Sequence, residues 1–155
     1  MQAIDVLQNP GSTTKFFKAL TDDYVLEVLD SGICGQVFQR ITVIKLDKIP
    51  IMLNLSSTNV NNPIFVDILQ NALTAPIGER LFASGSQISR DEMTIRTTTV
   101  KDINNQVIAG YIKALKINDD LCYRYSIFKS EQEAMELNEY VLPGLTTILN
   151  KYNNI

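Results

Sequence analysis

Arg40 is the residue on which any chemistry in this chain has to be argued first. It stands inside the most apolar stretch of the sequence, Val37-Phe38-Gln39-Arg40-Ile41-Thr42-Val43-Ile44. A guanidinium in such a setting needs an anionic partner, because a buried unpaired charge is costly. Two kinds of partner answer: an internal Asp or Glu, which is the commoner arrangement, or a bound carboxylate, which Arg matches with two parallel hydrogen bonds. Other candidates lie downstream. Arg90, Glu92, Thr94 and Arg96 alternate along one stretch, and Tyr123, Arg124, Tyr125 and Ser126 follow each other along another. By strand alternation the first set shares a face, as a solvated charge ladder in the usual case and a pocket wall in the rarer one. The second set reads as core tyrosines with a surface arginine. Thr74-Ala75-Pro76-Ile77-Gly78 enters a short helix whose free N–H groups can hold a carboxylate, although most helix starts are simply capped.

Composition narrows the chemistry. The chain contains no histidine, which removes Ser-His-Asp and Cys-His machinery and the commonest transition-metal ligand. Neither the GxGxxG nor the GxxxxGKS/T phosphate loop occurs. Catalysis would have to use carboxylates, Arg, Lys, Tyr or backbone groups. A net charge of −3 argues against a nucleic-acid partner. With 155 residues, 45% hydrophobic and 20% charged, residues 1–155 are expected to form one domain with a real core. Apolar runs such as residues 49–55 are too short for a bilayer, and the first residues lack the pattern of a secretory signal. The expected location is the cytoplasm, or a plastid stroma given the Asn-, Ile- and Lys-rich composition. Cys34 and Cys122 lack metal-site spacing and read as two buried free thiols, a Cys34–Cys122 disulfide being the other arrangement.

A mixed set of elements must position these groups. Residues 3–8 and 13–20 read as helices, the second with Ser12 as N-cap. Residues 24–29, 37–46 and 51–56 read as strands, with a turn at 31–35 and a hairpin connection at 47–50. Pro63 suits the first turn of a helix to residue 73, and Pro76 opens a shorter helical piece to residue 82. Residues 88–100 and 107–117 read as a hairpin about Asn104-Asn105, and 121–128 as the last strand. Ser130-Glu131-Gln132-Glu133 matches a capping box opening a C-terminal helix, which Pro143-Gly144 then breaks. The order predicts an α+β fold, an antiparallel sheet covered on one side by helices.

Read together, these segments bear a family likeness. Ala75-Pro76-Ile77-Gly78-Glu79-Arg80-Leu81-Phe82, followed by Ile88-Ser89-Arg90-Asp91, resembles the PLG-x-x-LF … R segment of the chorismate lyase (chorismate–pyruvate lyase) family. Arg40, ten residues before Pro50, is similar to the family's strand arginine before its hairpin proline. Gly11-Ser12-Thr13-Thr14-Lys15 is similar to its Asp/Gly-Ser-x-Thr segment, so the likeness runs from about Gly11 to Phe128. It implies a sheet of about six strands with helical flaps around a small buried pocket. It also implies a carbon–oxygen lyase that eliminates pyruvate from chorismate to give the quinone precursor 4-hydroxybenzoate, with no metal and no cofactor. Aromatisation supplies the driving force, so the protein must mainly orient the substrate and assist proton transfer.

Carried over residue by residue, the resemblance has Arg40 bind the ring carboxylate with the backbone N–H of Ile77. Gly78 and Arg90 belong to the same substrate site, and the backbone near Thr13 meets the 4-hydroxyl end. Two of the family's side chains lack a counterpart. A second arginine is expected near Asn54-Leu55, and an acid in the last strand, where Arg124 or Ser126 stands. Glu92 or Tyr125 would have to replace that acid. The alternative is a non-catalytic domain of the same fold binding an aromatic or cyclohexadiene carboxylate, as in the effector-sensing domains of transcription regulators. A third is a structural protein whose pocket has filled in. In the first two readings the partner is a small molecule, neither nucleic acid nor membrane, and oligomeric state is open.

Overall fold

The computed structural model describes residues 2–9, 13–71 and 88–153. Ser12 and residues 72–87, which include Ile77, Gly78 and the whole segment from Pro76 to Phe82, lie outside the described residues. Two short helices come first, α1 (Ala3–Gln8) and α2 (Thr13–Leu20), followed by strands β1 (Tyr24–Cys34), β2 (Val37–Leu46) and β3 (Ile49–Asn59). Helix α3 (Pro63–Asn71) and strand β4 (Ser89–Thr98) come next. After them the chain forms helix α4 (Gln106–Ala114), strands β5 (Leu121–Ser130) and β6 (Glu133–Val141), and helix α5 (Gly144–Asn153). The strands make one six-stranded antiparallel sheet in the order β1-β2-β3-β6-β5-β4. The expected α+β class and strand number hold, but the membership of the sheet does not.

Two elements differ from the sequence reading, each for a physical reason. Residues 107–117, expected as a strand, form α4. The Asn105 side chain accepts from Val107 N and Ile108 N, both at 3.1 Å. Ile108 and Ile112, one turn apart, are fully buried against Ile41, Val43 and Leu53. The run is rich in β-branched residues but its apolar spacing is also helical, and the cap decides. Conversely, the expected C-terminal helix from Ser130 is strand β6, which pairs on both sides, with β3 and β5. Ser130 faces Glu133 across a tight turn that puts Glu131 at φ 58°. The acid of that apparent capping box does cap a helix, but a distant one: Glu133 Oε1 accepts from Ile64 N (2.9 Å) and Phe65 N (3.3 Å) in the first turn of α3. Pro143-Gly144, expected to break a helix, instead precedes and opens one.

Alternation divides the sheet into two faces. The outer face packs Ile41, Val43 and Leu53 against α4. The inner face carries two separate apolar clusters. One joins Ile44 and Met52 to Val6, Leu7 and Phe17 of α1 and α2 and to Leu145, Ile148 and Leu149 of α5. The other joins Phe38, Phe128 and Met135 to Phe65, Ile68 and Leu69 of α3. Both cysteines are free, as expected, but neither is buried: Cys34 is exposed and Cys122 half-buried.

The β2–β3 turn is clipped to the far helices by one carboxylate. Asp47, in the left-handed region at φ 52°, accepts from Lys151 Nζ (2.8 Å), the Tyr152 hydroxyl and Thr21 Oγ1 (2.7 Å). The Lys151 hydrogen bond, then those from Tyr152 and Thr21, lower its pKa from 3.8 to about 2. A depressed carboxylate adds stability that is complete above its unfolded pKa and disappears as pH falls through its folded one. Thermal melts should therefore show a pH-dependent loss between about pH 4 and pH 2. Asp47→Asn, which tolerates the left-handed backbone, should melt below wild type at pH 7 and converge with it near pH 2. Parallel curves for the two proteins across that window would sink the assignment.

Candidate functional site

Between the two apolar clusters of the inner face the register places two adjacent polar rows. Thr42 lies opposite Asn54, Asn54 opposite Glu139, and Glu139 opposite Arg124. One pleat along, Arg40 lies opposite Ser56, Ser56 opposite Leu137, and Leu137 opposite Ser126. Every polar residue in these rows is at most 8% exposed. A sheet that merely closed a core would carry aliphatic side chains here, as it does on either side.

Part of this polarity serves the fold. Arg124 forms a two-pronged pair with Glu139, Nε to Oε1 at 2.7 Å and an Nη2 donor to Oε2 at 2.9 Å. Its remaining amine donates to the carbonyls of Leu7 (3.2 Å) and Asn9 (2.6 Å) at the end of α1. The sequence reading made Arg124 a surface residue; it is 1% exposed and fastens α1 to the sheet. That reading also looked for the last-strand acid in residues 121–128. The last strand is β6, and its buried acid is Glu139, 5% exposed.

The predicted site residues divide between the two faces. Arg40 is on the inner face and 2% exposed, and burial pushes its pKa down. Arg90 joins it there through a β-bulge. Arg90 pairs with Phe128 but Glu92 with Ile127, so Asp91 is the extra residue and the side chains on either side of it point to opposite faces. The Arg90 guanidinium lies 4.8 Å from the Phe128 ring centroid. Burial lowers its pKa to about 10, the nearby Arg124 charge adding to the effect and Glu139 opposing it. Glu92, Thr94 and Arg96 do form the shared face expected of them, but on the outer side and without Arg90. There Glu92 sits 3.9 Å from Arg96, which covers the Tyr125 ring at 4.3 Å, and the Tyr125 hydroxyl donates to Glu136 (2.9 Å). The sheet separates Glu92 and Tyr125 from Arg40, and neither faces the buried rows. Thr13 is buried at the start of α2 and lines a small cleft with Asp5, Val6, Asn9 and Phe16.

Two side chains that stand where the resemblance expects an arginine and an acid, Asn54 and Ser126, complete the rows. Asn54 Nδ2 donates to Thr42 Oγ1 at 3.4 Å, while Asn54 Oδ1 is buried with no partner among the described residues. Ser126 Oγ, fully buried, also has no partner among the described residues. An orphaned buried acceptor costs about 1–3 kcal/mol, and these two atoms lie in the same polar rows as Arg40. The signal available in the sequence was the alternation Met52, Asn54, Ser56, Thr58, which turns polar midway along an otherwise apolar strand. Among the described residues no group of three or more His, Cys, Asp or Glu is placed to hold a metal, and no helix is long and apolar enough to cross a membrane.

No family model and no curated protein matches this chain by sequence. Solved structures do match it in shape. The C-terminal domain of the histidine utilization repressor from Pseudomonas syringae superposes with a TM-score of 0.54 at 14% identity, over 78% of this chain and 92% of that one. The ligand-binding domain of a protein assigned to the GntR family of transcriptional regulators from Bordetella bronchiseptica gives 0.54 at 12%, over 79% and 87%. A possible transcriptional regulator, YydK, from Bacillus subtilis gives 0.57 at 11%, over 79% of this chain and 60% of that one. At these identities the likeness is one of fold: the chain has the chorismate lyase-like architecture that GntR-family ligand-binding domains share.

Proposed function

We propose that this chain is a ligand-sensing domain that binds a small carboxylate on the inner face of its sheet, without turning it over. The observation that carries the reading is the pair of buried polar rows, with Arg40 beside Ser56 and with Asn54 Oδ1 and Ser126 Oγ unpartnered among the described residues, set between two apolar clusters. The fold shared with regulator ligand-binding domains supports it. Arg40 is the carboxylate anchor, its planar fork suited to two parallel hydrogen bonds.

Elimination of pyruvate from chorismate, the lyase reading, needs a group that can move a proton at the ring. Glu139 is the carboxylate these rows supply, and both its oxygens are held by Arg124. A carboxylate so clamped is organised as a structural anion, which favours binding over turnover. Glu92 and Tyr125, on the outer face, supply no substitute.

The experiment is direct. Purified chain is incubated with chorismate while 4-hydroxybenzoate is followed by absorbance, and its melting temperature is recorded with 4-hydroxybenzoate. We expect no product above the uncatalysed rate. Saturating ligand should raise stability, by about 2.7 kcal/mol at a hundredfold excess over Kd. Arg40→Ala should weaken binding by about tenfold or more, as the loss of a charged hydrogen bond does. Turnover of chorismate would restore the lyase reading; no thermal shift with 4-hydroxybenzoate would count against an aromatic carboxylate as the ligand.

A further inference from the structure

The outer face has a polar recess of its own. Where β2 begins and β3 ends, Val37, Ser57, Asn59, Asn62, Ala134 and Glu136 line a cleft of about 300 Å³. Glu136 pairs with Ser57, which by alternation shares the face of Leu53 and Leu55, so the sheet lies between this cleft and Arg40. The neighbours fix the orientation of both amides. Ala134 O can only accept, so the Asn62 atom 3.0 Å from it is Nδ2. That nitrogen also donates to Thr58 Oγ1 (3.0 Å), whose own hydrogen goes to Ala134 O (2.7 Å). Both N–H groups of Asn62 are thereby used, and its Oδ1 is left as an acceptor. Asn59 is turned the other way: its Oδ1 accepts from Asn61 N (2.9 Å), which leaves Nδ2 as a donor beside the Ser57 hydroxyl.

Glu136 is the charged group of the lining. Its Oε1 accepts from the Tyr125 hydroxyl (2.9 Å), while Oε2 meets no donor and no cation among the described residues. Burial, then the bond to Glu136 and the charges of Glu136 and Glu92, hold that hydroxyl above its ordinary pKa against Arg96, so it stays the donor. An acid entering the cleft would meet Glu136 as a like charge. A cationic nitrogen with N–H groups answers both Glu136 Oε2 and Asn62 Oδ1 by charge-assisted hydrogen bonds. Val37, 40% exposed, gives a carbon stem an apolar wall. We propose that this cleft is a second binding site, separate from the inner face, and that it takes a small organic ammonium.

The test is an amide chemical-shift titration of the full chain with n-butylamine hydrochloride, tetramethylammonium chloride and n-butanol at pH 7. Wild type is compared with Glu136→Gln and with Asp119→Asn, which removes an equal charge from an exposed bend outside the cleft. Glu136 is exposed and Gln can still accept from Tyr125, so the rest of the spectrum should stay in place. n-Butylamine should give saturable shifts centred on Ser57, Asn59, Asn62 and Glu136, and n-butanol none there. Glu136→Gln should weaken n-butylamine about threefold, within the range of an exposed ion pair, and Asp119→Asn should not. Tetramethylammonium, which carries the charge without an N–H, should bind more weakly than n-butylamine. Equal weakening by the two variants overturns the proposal, because net charge alone would then attract the amine. Equal binding of n-butanol or tetramethylammonium also overturns it, since no N–H would be donated to the two acceptors. Absence of saturable shifts removes the site. Each of these outcomes leaves the carboxylate reading of the inner face standing.

Discussion

Arg124→Met should destabilise the protein by about 3–5 kcal/mol, the cost of breaking a buried ion pair from one side. The substitution leaves the Glu139 carboxylate, 5% exposed, without its two short hydrogen bonds. It also frees the Leu7 and Asn9 carbonyls, so the loss should be felt beyond the sheet. Amide exchange in α1 should accelerate well above the rest of the fold, because Arg124 is what bonds the end of that helix to β5. Glu139→Leu should cost a comparable amount by stranding the guanidinium, yet preserve more of the α1 protection. The double variant Arg124→Met/Glu139→Leu removes both charges, and volume-matched apolar replacement of a buried pair is often close to neutral. We therefore expect it to be more stable than either single variant in urea unfolding. Additive losses would mean that the pair does not act as one unit, and unchanged exchange in α1 for Arg124→Met would show that the two carbonyl bonds do not hold the helix.

The same pair shows why the site was only partly legible in the sequence. Arg40 was readable because a single charge stands inside an apolar run rich in β-branched residues, and β2 lies where that run does. Glu139 was not readable, because a local capping signal at Ser130 and Glu133 outweighed the alternation of Met135, Leu137, Glu139 and Val141. What settles that stretch is pairing with two neighbouring strands, one of them β3, far away in sequence. Arg90 was misplaced for a different reason. Strict alternation puts it with Glu92, and a single bulged residue, Asp91, reverses that; nothing in the sequence marks the bulge. The number of strands agreed with expectation although one expected strand is α4 and one expected helix is β6, so agreement in number carried no information about topology. Local signals were reliable where one element decides its own fate, as in β2 and the Pro63-led α3. They failed where a long-range partner decides.

Gly144→Ala should destabilise the protein by about 2 kcal/mol or more, the range for overpacking against groups that cannot yield. A Cβ at Gly144 would stand 2.2 Å from the Pro50 carbonyl oxygen and 2.6 Å from Ile49 Cγ2. The first of these is backbone. Relief would require the start of β3 to move away from α5, whose Leu145, Ile148 and Leu149 are buried in the core cluster shared with Met52. It would also strain the bond from Leu142 N to Ile51 O (2.9 Å) that fixes the approach. The glycine is required for space and not for its backbone freedom. A second glycine provides the control: Gly110 lies inside α4, is exposed, and a Cβ there meets nothing within 4 Å. Gly110→Ala should therefore gain helix propensity, up to about 1 kcal/mol. For a chain of this length 1 kcal/mol moves Tm by roughly 2–4 °C, so the same chemical change should lower the melting temperature at one position and raise it at the other. A rise at both would mean that α5 can slide off β3 at little cost, and that the wall it forms beside the buried polar rows is far softer than its packing implies.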